Sequence, residues 1–326
     1  MSVVRPVGKM ILLVMCCCLA KTAIAQDVRK GNLQRPMLLT LWDKQTIQAI
    51  DRDGKMEEEY PVGSRCTDAW KLKDGNILYV DFGNRAVKVM SEENETVFQY
   101  KFETEIDTCQ PLPDGSIVVG VCDEHKPRIV ELSRDGQIRK EVPLQAPVTS
   151  DHPGPLVHHQ IQKVRKLQNG NYLVCQTQMS LVREYDETGR IVWEFELKDN
   201  NPWCAVRLKN GNTLIGTGYY RKKPTEVIEV SPENKIVWTL ENSDLPKHFG
   251  MTRTIYDIQR LSSGNTVVFS FVWSTRGEKG VDVFEITPRK EVVWAYDHPE
   301  LLLGMFITDE IEQYAEFNLG LPKSNQ

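Results

Sequence analysis

The stretch LKNGNTL at residues 208–214 is one copy of the motif that decides the fold. An apolar residue leads into a turn around glycine and a second apolar strand follows, which is the pattern of a β-hairpin whose turn needs a positive φ at glycine. Four stretches repeat it at the same internal spacing: LKDGNIL at 72–78, LPDGSIV at 112–118, LQNGNYL at 167–173 and LSSGNTV at 261–267. The recurrence predicts a repeat protein.

A second strand-rich half-unit follows each hairpin. Its clearest copies are VREYDETGRIVW at 182–193, VIEVSPENKIVW at 227–238 and VFEITPRKEVVW at 283–294. Alternation of apolar and polar residues indicates that one face of these strands is buried. We expect the aromatic residues Trp193, Trp238 and Trp294 to pack between neighbouring units and not to form a ligand cage.

Four antiparallel strands repeated along a chain are typical of the blades of a β-propeller. Residues 37–62 hold a second half-unit with no hairpin before it, and the C-terminus offers a lone strand-like segment at 311–318. Placing that segment as the innermost strand of the first blade closes the ring and removes free sheet edges. We therefore predict an all-β fold, a six-bladed β-propeller of four-stranded antiparallel blades closed by pairing of the C-terminal strand with the N-terminal blade.

The first 25 residues have the features of a secretory signal peptide. Arg5 and Lys9 precede an apolar run of about 11 residues, short of the ~20 that cross a bilayer, and no later segment is predicted to span a membrane. We predict a signal peptide at 1–25, a short extension at 26–35 and one propeller domain at 36–326. The protein is then exported, periplasmic or secreted. Lipidation at Cys16 is less favoured, since bulky Met15 precedes it.

The charge and cysteine content of the chain limit the classes of molecule that it is expected to bind. Loss of Arg5, Lys9 and Lys21 with the signal lowers the 40 basic side chains to 37 against 45 acidic ones, a net charge of −8. That balance disfavours nucleic acid, which is bound by neutralising phosphates. The cysteines left after cleavage show no CxxC spacing and are expected to be small buried hydrophobic residues. They are Cys66, Cys109, Cys122, Cys175 and Cys204. We predict no cofactor and no metal site.

Connector lengths point to one end of the ring. We compare the connections that run from the turn of one second half-unit to the glycine of the next hairpin. Three of them are long, at residues 136–170, 234–264 and 290–320, and the others are minimal. Long loops in a compact domain more often carry function. On these connectors lie His152, His158, His159, His248 and His298, and His125 lies on a loop predicted to reach the same face. We place the functional site at this mouth of the central channel.

His158 and His159 precede an inner strand and are the candidate nucleophile or general base. The alternative is a pair of loop histidines hydrogen-bonded to backbone. A metal site built from His152, His158 and His159 is not favoured, because their spacings match no zinc signature and no clear carboxylate joins them. The pairs Thr67-Asp68 and Tyr256-Asp257 stand eight and seven residues before the hairpin glycine in two units, and Trp203-Cys204 occupies the equivalent place in a third. Asp68 and Asp257 would either act as an acid–base pair on a glycoside or simply bind backbone amides or cap a turn.

The remaining candidates are aromatic and cationic side chains, which together suit a flat anionic ligand. The alternative is a solvated rim whose cations are balanced by nearby acids. The predicted ligand-binding residues are Arg65, Asp68, Arg85, His125, His152, Trp203, Tyr219, Arg221, His248, Arg253, Tyr256, Asp257, Trp273 and Arg276.

The half-unit YDETGRIVWEF at 185–195 resembles the repeat of quinoprotein-like propellers, and LKNGNTL at 208–214 is similar to repeats of arylsulfotransferase-like propellers. The resemblance covers most of the chain and implies the fold. In arylsulfotransferase-type enzymes a channel histidine accepts the sulfuryl group. The resemblance would make His158 or His159 the nucleophile, with Arg253 or Arg65 as the clamp. This chain is much shorter than those enzymes, and it lacks the blade number and calcium–carboxylate set of quinoprotein dehydrogenases.

The sequence thus predicts an exported propeller that binds a small anionic molecule or a carbohydrate at the channel mouth. One alternative is an enzyme at the same mouth, working by sulfuryl transfer through a histidine or by saccharide cleavage. Another is a protein-interaction scaffold with an envelope protein as its partner.

Overall fold

The computed structural model describes residues 35–146, 157–218, 224–246, 249, 254–271 and 281–298, and the backbone of residues 302–307. Within these residues the chain is all-β, with five antiparallel sheets and two single turns of 3-10 helix at Thr177–Met179 and Asn242–Asp244. None of the described helical segments is long and apolar enough to span a membrane.

Four of the sheets contain four strands each. The first is ordered β24-β1-β2-β3, with β1 at Met37–Leu41, β2 at Thr46–Ile50, β3 at Met56–Pro61 and β24 at Leu302–Ile307. The second contains β4 (Cys66–Lys71), β5 (Ile77–Asp81), β6 (Ala86–Met90) and β7 (Thr96–Lys101). The third contains β8 (Ile106–Pro111), β9 (Ile117–Val121), β10 (Arg128–Leu132) and β11 (Ile138–Pro143). The fourth contains β12 (Lys163–Lys166), β13 (Tyr172–Gln176), β14 (Leu181–Tyr185) and β15 (Ile191–Glu196).

The fifth sheet has eight strands and consists of two further sets of four. The first set is β16 (Asn201–Arg207), β17 (Thr213–Gly218), β18 (Val227–Val230) and β19 (Ile236–Leu240). The second is β20 (Thr254–Arg260), β21 (Thr266–Phe271), β22 (Val283–Ile286) and β23 (Val292–Tyr296). Pairing of Gly218 with Thr254 joins the two sets.

The glycine-centred hairpins are confirmed. The five turn glycines, Gly75, Gly115, Gly170, Gly211 and Gly264, have φ between +83° and +89°. Each donates its N–H to the leucine carbonyl three residues earlier at 2.9–3.1 Å. An L side chain rarely adopts this backbone conformation, so the turn requires glycine.

The strand that pairs with β1 is β24 and not the predicted segment at 311–318, which lies outside the described residues. Residues 37–41 pair with residues 302–307 in antiparallel register. Residues 301–307 read LLLGMFI, whereas the predicted segment contains two glutamates. An inner strand is buried on both faces, so the more apolar run is the better match.

The outer tryptophans pack between successive sheets, as predicted. Trp294 is 5 % exposed and shares an apolar cluster with Met37 and Leu39 of β1 and with Phe269 of β21. Trp193 and Trp238 are partly buried and pack against clusters that likewise combine two neighbouring units. Burial between sheets therefore holds the units together.

The cysteines expected to be small core residues are buried and unpaired in the described structure. Burial raises the pKa of each of the five thiols. They are poor nucleophiles, because the thiolate is the reactive form.

Candidate functional site

A recurring β-bulge positions the site. In each unit we consider the two residues that stand eight and seven positions before the hairpin glycine. A bulge lies at or just before this residue pair, near the start of β4, β8, β16 and β20. A bulge sets two residues of one strand against one of its partner and re-aims their side chains. The pairs are Thr67 and Asp68, Asp107 and Thr108, Trp203 and Cys204, and Tyr256 and Asp257, and all eight residues are buried. In β12 the equivalent positions hold Gln162 and Lys163, also buried.

The position seven residues before the glycine holds Asp68, Lys163 and Asp257 in three units, and Arg165 of β12 joins them. We call these four buried charged residues the channel cluster. Lys163 Nζ lies 3.4 Å from Asp68 Oδ1 and 3.5 Å from Asp257 Oδ2. Arg165 Nη1 lies 3.0 Å from Asp68 Oδ2, and its Nη2 lies 4.0 Å from Asp257 Oδ2. Two cations and two carboxylates from three sheets thus compensate one another.

Hydrogen bonds complete this cluster. Asp68 Oδ2 accepts from Thr108 Oγ1 at 2.8 Å and from the Cys109 N–H at 3.2 Å. Burial opposes ionisation of Asp68, but the charges of Arg165 and Lys163 hold the pKa of its carboxyl below the usual value. Burial raises the pKa of Asp257 despite the same two cations. Asp68 and Asp257 do approach from different units, as expected, and here they are partners in ion pairs.

A second group lies at the start of β8 and in the turn before β12. It comprises Glu105, Asp107, His158 and His159, which we call the mouth cluster. His158 Nδ1 lies 2.8 Å from Glu105 Oε1, and His159 Nδ1 lies 2.9 Å from Gln162 Oε1. The two imidazole rings are 3.6 Å apart between centroids. One potential metal-ligating atom from each of Asp107, His158 and His159 lies within 4.8 Å of the others.

The charges of the mouth cluster are not balanced as those of the channel cluster are. The hydrogen bond to Glu105 raises the pKa of His158, whereas burial, helped by the neighbouring His158, lowers the pKa of His159 to about 4. Burial and the adjacent Glu105 raise the pKa of Asp107 to about 8. Among the described residues, Asp107 Oδ2 has no hydrogen-bond partner. Perturbed groups of this kind concentrate at functional sites.

The backbone of His159 is also unusual. Its φ is +64°, in the left-handed region that residues other than glycine seldom occupy. The turn is closed by a hydrogen bond from the Gln160 N–H to the Val157 carbonyl at 3.2 Å. This conformation presents two consecutive imidazoles on one side of the turn, in contact with each other.

Aromatic rings lie beneath the histidine pair. The His159 ring is 5.0 Å from that of Trp203, which is 6.0 Å from that of Tyr256. Trp203 is 7 % exposed and Tyr256 3 % exposed, so these rings support the site from below and offer no open face for stacking. The more accessible Phe82 makes an edge contact with His158 at 6.0 Å.

The structure brings six of the predicted residues into the two clusters or their aromatic support: Asp68, His158, His159, Trp203, Tyr256 and Asp257. Arg65 lies at the edge, with its guanidinium 4.3 Å from the ring centre of Trp42, which packs on the Trp203–Tyr256 group. Arg85 is exposed and donates to the Glu103 carbonyl, and His125 is exposed beside Glu124. The others lie outside the described residues: His152, Tyr219, Arg221, His248, Arg253, Trp273 and Arg276.

Sequence reasoning missed Glu105, Asp107, Lys163 and Arg165. A signal for two of them was present, because Asp107 stands eight residues before Gly115 and Lys163 stands seven before Gly170. Tyr256 likewise stands eight residues, and Asp68 seven residues, before the hairpin glycine of its own unit. Glu105 and Arg165 have no such signal, since their roles depend on contacts between units.

No protein-family model and no curated protein matches the chain. Solved structures do. A protein of unknown function from Bacteroides caccae is 22% identical, with 81% of this chain and 94% of that chain covered and a TM-score of 0.67. A catalytically inactive virginiamycin B lyase from Staphylococcus aureus, solved with quinupristin, is 12% identical, with 82% and 86% covered and a TM-score of 0.55. The WD40 β-propeller domain of Doa1 is 16% identical, with 72% and 71% covered and a TM-score of 0.52. At such identities the likeness shows the fold alone, and that fold is a β-propeller.

Proposed function

We propose that the six four-stranded sets form a closed six-bladed ring, with β24 as the innermost strand of the first blade. The support is the order in which one strand at the end of each four-stranded set contacts that of the next set. β4 contacts β8, β8 contacts β12, β12 contacts β16, β16 contacts β20, β20 contacts β24, and β24 contacts β4. Two truncations test this. Removal of residues 308–326 should leave the thermal unfolding temperature near that of the intact chain, and removal of residues 302–326 should lower it sharply. Equal loss in both would place the closing strand later in the chain.

We propose that this ring is an exported protein that binds a small ligand at the mouth cluster. The observation that carries the proposal is the convergence of imidazoles and carboxylates from the β8 and β12 units on aromatic rings from the β16 and β20 units. Polar groups that converge over an apolar floor are typical of ligand sites. For export, N-terminal sequencing of the protein recovered outside the cytoplasm should begin at Gln26.

Of the two ligand classes predicted, the mouth cluster favours a carbohydrate-like molecule. Its polar groups are carboxylates and imidazoles, which bind hydroxyl groups. An anion would meet Glu105 and Asp107. Of the described cations nearby, Arg65 contacts Trp42, and Lys163 pairs with carboxylates in the channel cluster.

Ligand-induced stabilisation tests the proposal, because a molecule that binds only the folded state raises the unfolding temperature. A panel of neutral oligosaccharides, uronates and aryl sulfates should contain a neutral sugar that gives a shift. His158→Ala and Glu105→Gln should abolish that shift, and His125→Ala, which removes an exposed histidine elsewhere, should retain it. A shift only with uronates or sulfates would favour the anionic class. No shift with any of them would contradict a small-ligand site of either class.

A second function is favoured by one specific contact, the Glu105–His158 hydrogen bond of 2.8 Å. A carboxylate on Nδ1 fixes the imidazole and leaves Nε2 for proton transfer or nucleophilic attack, the relation of base and orienting acid in hydrolases. Turnover of an aryl sulfate or an aryl glycoside should then fall about 10²- to 10⁴-fold in His158→Ala. Absence of turnover by the unaltered protein, or turnover that survives the substitution, would leave the binding function alone.

A further inference from the structure

The mouth cluster contains the donor set of a metal centre. Asp107, His158 and His159 each offer one ligating atom, and the three atoms lie within 4.8 Å of one another. We propose that Asp107, His158 and His159 bind a divalent transition-metal ion at the channel mouth. This proposal goes beyond ligand binding and does not depend on it.

The orientation of both imidazoles fits metal binding. Histidines that bind metals usually donate the N–H of their other ring nitrogen to an oxygen, which fixes the ring and makes the ligating nitrogen more basic. Here Nδ1 of His158 faces Glu105 Oε1 at 2.8 Å, and Nδ1 of His159 faces Gln162 Oε1 at 2.9 Å. With the proton on Nδ1, Nε2 carries the lone pair in each ring.

Asp107 supplies an independent argument. Its carboxyl group is 2 % exposed, and Oδ2 has no hydrogen-bond partner among the described residues. Buried polar atoms are almost always partnered, so a buried oxygen without a partner indicates a place where something else binds. One carboxylate oxygen of Glu105 lies within 4.8 Å of one of Asp107. A bound cation would give Asp107 the partner that Lys163 gives Asp68 and Asp257 in the channel cluster.

The donor types select the metal. Two imidazoles and one carboxylate suit Zn²⁺ and related transition ions, whereas Mg²⁺ and Ca²⁺ prefer oxygen ligands. A tetrahedral ion with ligands at about 2.0–2.1 Å holds its donor atoms about 3.3 Å from one another. The three donor atoms here lie within 4.8 Å of one another. His158 is half exposed and has room to move. Three protein ligands leave a coordination position for water or a bound molecule.

Zn²⁺ alone, titrated calorimetrically into the purified protein after removal of metals with a chelator, tests the site. We expect one Zn²⁺ per chain and a higher unfolding temperature. Asp107→Asn and His159→Gln should each weaken binding at least about tenfold. The exposed His125→Ala should bind Zn²⁺ like the unaltered chain. Zinc X-ray absorption should show nitrogen and oxygen neighbours at about 2.0–2.1 Å and no sulfur at about 2.3 Å.

Two results would overturn the site. One is the absence of saturable Zn²⁺ binding, or binding that survives both Asp107→Asn and His159→Gln. The other is loss of binding in Cys122→Ser with retention in His158→Ala, since Glu105, Asp107 and Cys122 form a competing set. Circular dichroism establishes that each variant is folded. If Asp107→Asn does not fold, His158→Ala decides, because its half-exposed side chain is replaceable without disturbing the core.

Discussion

The channel cluster is built on β4, β12 and β20, and the mouth cluster at the start of β8 and in the turn before β12. The two clusters differ in how their charges are compensated. In the channel cluster, Lys163 and Arg165 face Asp68 and Asp257, and each of the four charges lies within 4.0 Å of an opposite charge. At the mouth, Asp107 has an oxygen without a described partner and lies beside a second carboxylate. Satisfied buried charges fix a structure, whereas unsatisfied ones are maintained where something else binds.

Loss of Lys163 is expected to have the largest effect on stability. Lys163→Met removes the cation that lies between Asp68 and Asp257 and leaves buried carboxylates undercompensated, which costs about 3–5 kcal/mol. Urea unfolding measures the change. The matched control is Arg139→Ala, which breaks an exposed pair with Asp114 and should cost less than about 1 kcal/mol. A Lys163→Met protein as stable as the Arg139→Ala protein would remove the structural role of the cluster.

The decrease in the free energy of unfolding at acid pH should depend on Asp68. Its pKa is lower in the folded protein than the ordinary 3.8, so its contribution is complete above that value and is lost as the pH falls through the folded pKa. Asp68→Asn should be less stable near neutrality and should lose less stability as the pH falls from about 4 to about 2. Unfolding free energies measured across that range decide. Parallel curves for the two proteins would contradict an ionised, paired Asp68.

Asp107→Asn should behave in the opposite way. It removes a buried acid whose ionisation is opposed by burial and by the adjacent Glu105, so in chelator-treated protein the unfolding free energy should stay level or rise by about 1 kcal/mol, at the expense of function. Urea unfolding beside Asp68→Asn gives the direct comparison. Destabilisation of both variants by similar amounts would mean that the two clusters do not differ.

His158→Ala is expected to change stability least. The side chain is 56 % exposed, and solvent screens its contact with Glu105, so the cost should be under about 1 kcal/mol. The same variant should lose ligand-induced stabilisation at the mouth. Thermal unfolding with and without the ligand measures both effects. A large stability loss in the unliganded variant would make the mouth histidine structural.

Much of the fold was predictable because it rests on local rules. The hairpin glycines adopt the positive φ that their turns need, and Trp294 packs between units as the alternating pattern indicates. The strand that pairs with β1 was predicted too late in the chain, at residues 311–318, because strand propensity alone did not weigh the apolar run at 301–307. For the site, the spacing before the hairpin glycines identified Asp68, Asp257, Trp203 and Tyr256.

The same spacing also pointed to Asp107 and Lys163, but their meaning depended on partners from other units. The two histidines that lie close to Asp107 come about 50 residues later in the sequence. That separation matches no spacing typical of zinc sites. Arg85 and His125, selected for their residue types, are exposed and remain apart from both clusters. Residue type and loop position alone therefore did not identify which side chains come together in the two clusters.

The sequence by itself determined the repeat, the turns and the alternation that buries one face of each strand, because these follow from backbone sterics and from periodicity over a few residues. Only the tertiary structure decided which buried charges are compensated. A carboxylate's partners come from strands 40 to 100 residues away, as the Asp68–Thr108 and Asp68–Arg165 contacts illustrate. Whether Asp68 is an ion-pair partner and Asp107 an open ligand is set by that three-dimensional neighbourhood, since electrostatic interactions act through space and not along the chain.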